Sequence, residues 1–273
     1  MKQKSSKKLL STSLLLVLIA LVSLTAATTA WMTIADSTRL KTMRLDVTSG
    51  ANLRFDLDSH ETFEEYVKSL RLIDIADRIL RDQGYHPREN PLSPVTTTDC
   101  IHFTQENGEP AAKESYMEFV LHFMATDDMV VHLTTAGEEG TRIFSDEVSD
   151  IAKAMRISFT ADDSTAVYDP GMEPGSEEGL GGKIFGLARG NRIVYDASNT
   201  LFFLKAGVDK PVTVRIWLEG TDEICTDALR GVPYHIQLRF VGTDENGNLL
   251  EDSRTTTRRS AAATPIEERN ENK

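Results

Sequence analysis

Hydrophobic and polar residues alternate with a period of two along much of the chain, which is typical of β-strands that bury one face. In the stretch 212–219, for example, Val212, Val214 and Ile216 fall on one face. The alternation predicts strands at 40–47, 51–57, 116–124, 129–135, 155–161, 165–168, 191–196, 200–204, 212–219 and 234–241. These strands do not alternate regularly with helices, so we predict a mainly β fold, an antiparallel jelly-roll-like β-sandwich.

Residues 61–83 have a helical period instead. Apolar residues recur three or four positions apart between Phe63 and Leu80, and Gly84 ends the run. We therefore predict one helix over 61–83, inserted between the strands, and a helical turn within 148–154.

Several segments carry turn and loop signals. Prolines in 85–112 predict a long surface loop, and the glycines of 170–190 predict a mobile loop. Residues 126–128 separate two predicted strands and would close a hairpin between them. Asn246-Gly247 is a common two-residue hairpin turn, so 244–273 is predicted to be a short hairpin followed by a disordered tail.

The first thirty residues, which we call the leader, are basic and then apolar. Four lysines, at positions 2, 4, 7 and 8, precede an uncharged run over 9–30, whose helix would be roughly 30 Å long, enough to cross a bilayer. The basic flank stays in the cytoplasm, so the remainder is predicted to be secreted or displayed on the cell surface. Small residues at 25–30 suit cleavage by signal peptidase. The leader 1–30 is therefore a signal peptide or, if it is not cleaved, a hydrophobic helix that anchors the chain in the membrane.

The exported part is strongly acidic. Four of the 30 lysines and arginines and none of the 42 acidic residues lie in the leader, so residues 31–273 carry a net charge of −16. This charge repels nucleic-acid phosphates, so we expect no nucleic acid partner. We divide the chain into the leader 1–30, a β-sandwich domain 31–243 and the C-terminal part 244–273.

One group of residues has the composition of a metal site. If the hairpin at 126–128 has a three-residue loop, His122 lies opposite His132 with Glu118 on the same face. Two imidazoles and a carboxylate can bind a transition metal. A shift of one residue in register would separate them, and in the alternative both histidines face solvent or are partly packed. We favour that alternative and predict no metal, no cofactor and no catalytic residues.

Three further residues allow two interpretations each. Cys100 and Cys225 are the only cysteines of the chain, and an oxidising exterior permits a disulfide between them without requiring it. Trp217 provides either a contact surface or the second face of a buried strand.

Three segments together resemble known exported proteins. The leader runs through 27–31 directly into an extended segment, the strand 212–220 is followed by 222–228, and 236–240 forms the closing strand. These features resemble uncharacterised exported proteins of Gram-positive bacteria and, more distantly, the TasA/camelysin biofilm-fibre group.

The resemblance implies a jelly-roll domain at the cell surface or in extracellular matrix. It also implies that copies can join when the N-terminal strand of one chain completes the sheet of the next, and 35–46 is the matching segment here. The alternative is that 35–46 forms an ordinary first strand of its own sheet. The helix 61–83 and the proline-rich loop depart from the family.

Together these features predict a non-enzymatic, exported structural protein of the cell surface or matrix. The alternatives are a secreted binding module for glycan or protein and a secreted hydrolase with an unrecognised site.

Overall fold

The computed structural model describes residues 43–90, 92–146, 150–225, 229 and 233–250. Within these ranges the protein is mainly β, with mixed sheets and few helices. The leader, residues 31–42 and the predicted tail lie outside the described residues. No helix in the described part of the chain combines the length and apolar character that crossing a bilayer requires.

The strands and helices have the following bounds. The strands are β1 (Met43–Ser49), β2 (Leu53–Asp56), β3 (Ser69–Arg71), β4 (Pro94–Thr97), β5 (Phe103–Thr104), β6 (Met117–Ala125), β7 (Met129–Leu133), β8 (Arg142–Phe144), β9 (Met155–Ala161), β10 (Ser164–Tyr168), β11 (Gly175–Gly179), β12 (Gly182–Gly186), β13 (Thr200–Leu204), β14 (Lys210–Glu219) and β15 (Tyr234–Thr243). The α-helices are α1 (Leu72–Gln83) and α2 (Ile151–Ala154), and short 3₁₀ turns lie at Phe63–Glu65, Lys113–Ser115 and Gly190–Arg192.

The strands form two sheets. Sheet A has the order β13-β7-β15-β1-β3, and β8 also pairs with β15. Sheet B has the order β11-β12-β10-β9-β14-β4-β5, while β6 also pairs with β14 and β2 pairs with β6. Three of the pairs are parallel, β1 with β15, β10 with β12 and β4 with β14, which corrects the expectation of a fully antiparallel arrangement. None of these three pairs is joined by a tight turn, so chain connectivity does not impose the antiparallel direction.

Aromatic side chains join the two sheets. Phe240 of β15 is fully buried, and its ring centroid lies 6.0 Å from that of Phe55, 5.1 Å from that of Phe123 and 5.7 Å from that of Phe159, all three in sheet B. The alternation predicted for 212–219 and 234–241 is confirmed, since the residues assigned to one face in each strand are buried.

The predicted helix over 61–83 is wrong in its first half. Ser69–Arg71 pairs with β1, with Leu70 opposite Val47, so this part of the apolar pattern belongs to a strand. The Asp74 carboxylate accepts the backbone N–H of Arg71 at 2.9 Å, and α1 begins at Leu72. Gly84 ends the helix as predicted, with φ of +82°.

Both long loop predictions need correction. Residues 85–112 contain β4 and β5, and Phe103 of this segment packs on Trp217 of sheet B with ring centroids 5.4 Å apart. Residues 170–190 contain the hairpin of β11 and β12, which pairs onto β10. Gly186 is required there, because a Cβ would overlap the carbonyl oxygens of Met172 and Glu173. These proline- and glycine-rich segments therefore form paired strands, and Gly186 permits close backbone packing in the second of them.

The predicted hairpin at 126–128 is also wrong. β6 belongs to sheet B and β7 to sheet A, so the turn carries the chain from one sheet to the other. No strand occurs at 191–196, where the structure has a 3₁₀ turn at Gly190–Arg192. The Asn246-Gly247 turn is present, with the N–H of Asp244 donating to the carbonyl of Asn248 at 2.9 Å.

Candidate functional site

The residues of the predicted metal set are dispersed. His122 lies on β6 in sheet B and His132 lies on β7 in sheet A. Glu118 pairs instead with Arg215, and the Nε of Arg215 lies 2.5 Å from Oε2 of Glu118. Among the described residues, no three His, Cys, Asp or Glu side chains are arranged so that they could hold a metal ion. His122 does not lie opposite His132 because the chain passes from sheet B to sheet A at 126–128.

His122 belongs to a hydrogen-bond network centred on Asp209. The Asp209 carboxylate accepts the Tyr66 hydroxyl at 2.7 Å, the Ser59 hydroxyl at 3.0 Å and the Nδ1–H of His122 at 2.9 Å. We call these four residues the Asp209 network. In the tautomer whose Nδ1–H donates to Asp209, the Nε2 of His122 is a hydrogen-bond acceptor.

The network keeps the Asp209 carboxyl ionised. Partial burial acts to raise its pKa, while hydrogen bonds from Tyr66, His122 and Ser59 lower it, and the net pKa is below the ordinary value. Burial raises the pKa of the Tyr66 hydroxyl, and the neighbouring Asp209 charge adds to this effect. Tyr66 therefore remains a donor and Asp209 an acceptor over the neutral range.

The loop that carries Ser59 and Tyr66 is held by its own contacts. The Arg54 guanidinium donates to the carbonyls of Phe63 and Glu64, both at 3.2 Å, and lies 4.5 Å from the centroid of the Phe63 ring. The Tyr66 hydroxyl accepts the backbone N–H of His60 at 2.9 Å. Arg54 thus fixes the loop on β2, and the Asp209 network fixes it on β6 and on Asp209, the residue before β14.

A polar groove runs beside the Asp209 network, between α1 and the exposed face of β6. Its volume is about 410 Å³, and its lining includes Asp58, Arg78, Asp82, Glu118, Val120 and His122. The Arg78 guanidinium pairs with both Asp58 and Asp82 across one side of the groove. Carboxylates and an imidazole acceptor suit ligands that offer hydrogen-bond donors, such as sugar hydroxyls.

His132 has a different environment. Its Nδ1 lies 2.7 Å from Oδ1 of Asn199 and its Nε2 lies 3.2 Å from the Thr243 hydroxyl, so both ring nitrogens are occupied. Burial lowers the pKa of His132, and the bonds to Asn199 only partly oppose this effect. His132 is a neutral structural link between β7, β15 and the turn before β13.

Trp217 is also structural, so its interpretation as a contact surface is wrong. The side chain is fully buried, and its Nε1–H donates to Glu219 Oε2 at 3.0 Å. Its alternative interpretation, the second face of a buried strand, is confirmed. The cover comes from β4, β5 and the turn between them, whose Val95, Cys100 and Phe103 form an apolar cluster with Trp217. Cys100 is buried, Cys225 is partly exposed, and both are free thiols in the structure.

Asp209, Tyr66 and Ser59 were not predicted from the sequence as site residues. Asp209 is separated from Tyr66 by 143 positions and from His122 by 87, so no local spacing links them. The only sequence signal is indirect, because Asp209 immediately precedes a strongly alternating strand.

Comparisons with protein-family models, with curated proteins and with solved structures found no match for the chain. Function is therefore inferred from the residues and their geometry.

Proposed function

We propose that the chain is an exported, non-enzymatic structural protein of the cell surface or extracellular matrix, built on a jelly-roll-like sandwich. The basic and apolar leader and the acidic composition of 31–273 support export. Two sheets whose aromatic side chains meet support the sandwich architecture.

We propose further that copies join by strand addition through residues 35–42, because Met43–Asp46 of the expected segment 35–46 already pair with β15 of the same chain. The register of β1 is the observation that carries this proposal. β1 runs parallel to β15, with Met43 opposite Tyr234, and Tyr234 is the first residue of β15. Met43 thus takes the first described pairing position of β15, and residues 35–42, which come before Met43 in the sequence, are the segment that we propose adds to the sheet of a second copy.

The other edge of β1 supports the same proposal. β3 pairs only with Asp46, Val47 and Thr48 in the described part of the chain. The backbone of Met43–Leu45 has no strand partner on that side among the described residues. An incompletely paired edge is a site at which another chain can add a strand.

Polymer formation by the secreted protein tests this proposal. We expect the product that begins near residue 31 to form high-mass species that grow with concentration, measured by size-exclusion chromatography and electron microscopy. Deletion of 31–42 retains all described pairs of β1 and should leave a folded monomer. A single Thr38→Pro substitution should weaken assembly, because it removes a backbone N–H, while Thr38→Val should not.

A folded, secreted protein that stays monomeric at high concentration would contradict strand addition. The same conclusion follows if Thr38→Pro and Thr38→Val polymerise equally. Circular dichroism of each variant separates loss of assembly from loss of folding.

The groove beside the Asp209 network favours a second candidate function, a secreted glycan-binding module. Titration calorimetry with neutral oligosaccharides tests it, with Glu118→Gln and His122→Gln as groove variants and Glu177→Gln on exposed β11 as the control. Binding that both groove variants weaken and the control retains would support it. Equal affinities for all four proteins would place any binding elsewhere.

A further inference from the structure

The two cysteines follow β4 and β14, whose C-terminal ends lie at the same end of sheet B. β4 and β14 run parallel, with Val95 opposite Glu219. Cys100 follows Val95 by five positions and Cys225 follows Glu219 by six. The C-terminal ends of parallel strands lie at the same end of a sheet. This register therefore carries both thiols to the same end of sheet B. We propose that Cys100 and Cys225 form an intramolecular disulfide in the exported protein.

The turn that carries Cys100 is built to hold its side chain inward. The backbone N–H of Cys100 donates to the Thr97 hydroxyl at 3.0 Å, and the Asp99 carboxylate accepts the N–H groups of Ile101 and His102 at 2.8 and 2.7 Å. Cys100 itself has a φ of +57°, in a region that residues other than glycine rarely adopt. The side chain is thereby fixed against the apolar cluster that contains Trp217.

The loop that carries Cys225 is attached to the same end of the sheet. The N–H of Cys225 donates to the carbonyl of Asp222 at 2.9 Å. The Asp222 carboxylate accepts Nη2 of Arg156 on β9 at 3.1 Å. This contact holds the loop over β9, the neighbour of β14. It lies on the sheet face that carries Trp217, whose cross-strand partner on β9 is Arg156. Cys225 is partly exposed, whereas Cys100 is buried.

Both thiols lie in the field of one buried carboxylate. Burial is the main cause that raises the pKa of Cys100 to about 11, and the charge of Glu219 adds to it. The pKa of Cys225 is raised by burial, then by the charges of Asp222 and Glu219. The charge of Glu219 therefore acts on both thiols, and their raised pKa values slow their reaction once the domain has folded.

The different exposure of the two thiols sets the order of the reaction. A small-molecule disulfide such as oxidised glutathione reacts first with the Cys225 thiolate, forming a mixed disulfide and releasing one glutathione thiolate. The Cys100 thiolate then attacks Sγ of Cys225, and the second glutathione leaves as thiolate. Two cysteine thiols are oxidised, one glutathione disulfide is reduced to two thiols, and the two cysteine protons end on those thiols.

Peptide mapping of the secreted product tests the proposal. Trypsin cleavage at Arg88 and Lys113 and at Arg215 and Arg230 releases Cys100 in 89–113 and Cys225 in 216–230. After equilibration with oxidised glutathione and quenching of free thiols under denaturing conditions, we expect these two peptides to be linked without reductant and separate with it. Two alkylated thiols, glutathione on Cys225 alone, or a link between two chains would each overturn the proposal.

Thermal unfolding gives an independent measurement. The bond would close a loop of more than a hundred residues, so reduction should lower the melting temperature by on the order of 10 °C. Cys225→Ser changes a partly exposed residue and should melt at the temperature of the reduced parent, with no response to reductant. A parent whose melting temperature is the same with and without reductant would overturn the proposal.

Discussion

Replacing Phe240 by alanine should remove three aromatic contacts between the two sheets. Phe240 is fully buried on β15, and its ring meets Phe55, Phe123 and Phe159 of sheet B at centroid distances of 5.1–6.0 Å. Truncating a buried phenylalanine costs about 3–5 kcal/mol, the sum of lost transfer free energy and the cavity that remains. Three aromatic pairs are lost as well, and each contributes about 0.5–1.5 kcal/mol beyond its buried area. We expect a loss near the upper end, about 5 kcal/mol.

Guanidinium denaturation of the parent and of Phe240→Ala measures this loss directly. Phe203→Ala is the matched control, because Phe203 lies in the same sheet but is 48% exposed. Its truncation should cost less than about 1 kcal/mol, since surface substitutions change stability little. If Phe240→Ala lost no more stability than Phe203→Ala, the aromatic cluster would not be what holds the sheets together. A changed denaturant slope would show that the variant alters the native or denatured state, and the comparison would then use melting temperatures.

Two further predictions concern His132 and the glycine-rich hairpin. Because burial lowers the folded-state pKa of His132 below its unfolded value, the unfolded chain takes up a proton first as pH falls. Stability should therefore decline below about pH 6.5, by at most about 1.4 kcal/mol per pH unit, and His132→Gln should reduce that slope between pH 7 and 5. Gly186→Ala should cost at least about 2 kcal/mol in thermal unfolding, because its Cβ would overlap two backbone carbonyls that cannot easily move, whereas Gly50→Ala, with open space around it, should be nearly neutral. A slope in His132→Gln equal to that of the parent, or equal losses for the two glycine variants, would contradict the respective prediction.

The strand pattern was predictable because each sheet packs one of its two faces against the other sheet. Tyr234, Ile236, Leu238 and Phe240 are buried at every second position, and the intervening residues are less buried. A period of two follows directly from strand geometry, so a single strand contains enough information to predict it. Gly84 was predictable for a similar reason, because its left-handed φ of +82° is a local requirement of the helix end.

Strand pairing was not predictable to the same degree. Residues 126–128 have the composition of a hairpin turn, yet the N–H of Thr126 donates to the carbonyl of Asn52 and the next strand joins the other sheet. A turn signal indicates that the chain reverses without indicating which sheet receives the following strand. The wrong assignment placed His122 opposite His132 and so produced the metal hypothesis. The Asp209 network could not be predicted from the sequence for the same reason, because its members come together only through tertiary structure.

Trp217 shows how a segment without clear periodicity changes the meaning of a periodic one. In 212–219 the alternation alone leaves one face for solvent, which made Trp217 a candidate contact residue. Val95 and Phe103, from a proline-rich segment that resembles a surface loop, cover that face and bury the indole. A cover of this kind needs only a few apolar side chains and no regular period, so hydrophobic alternation cannot reveal it. The same cover encloses Cys100, and the end of sheet B therefore holds a buried thiol that composition alone would have placed in a loop.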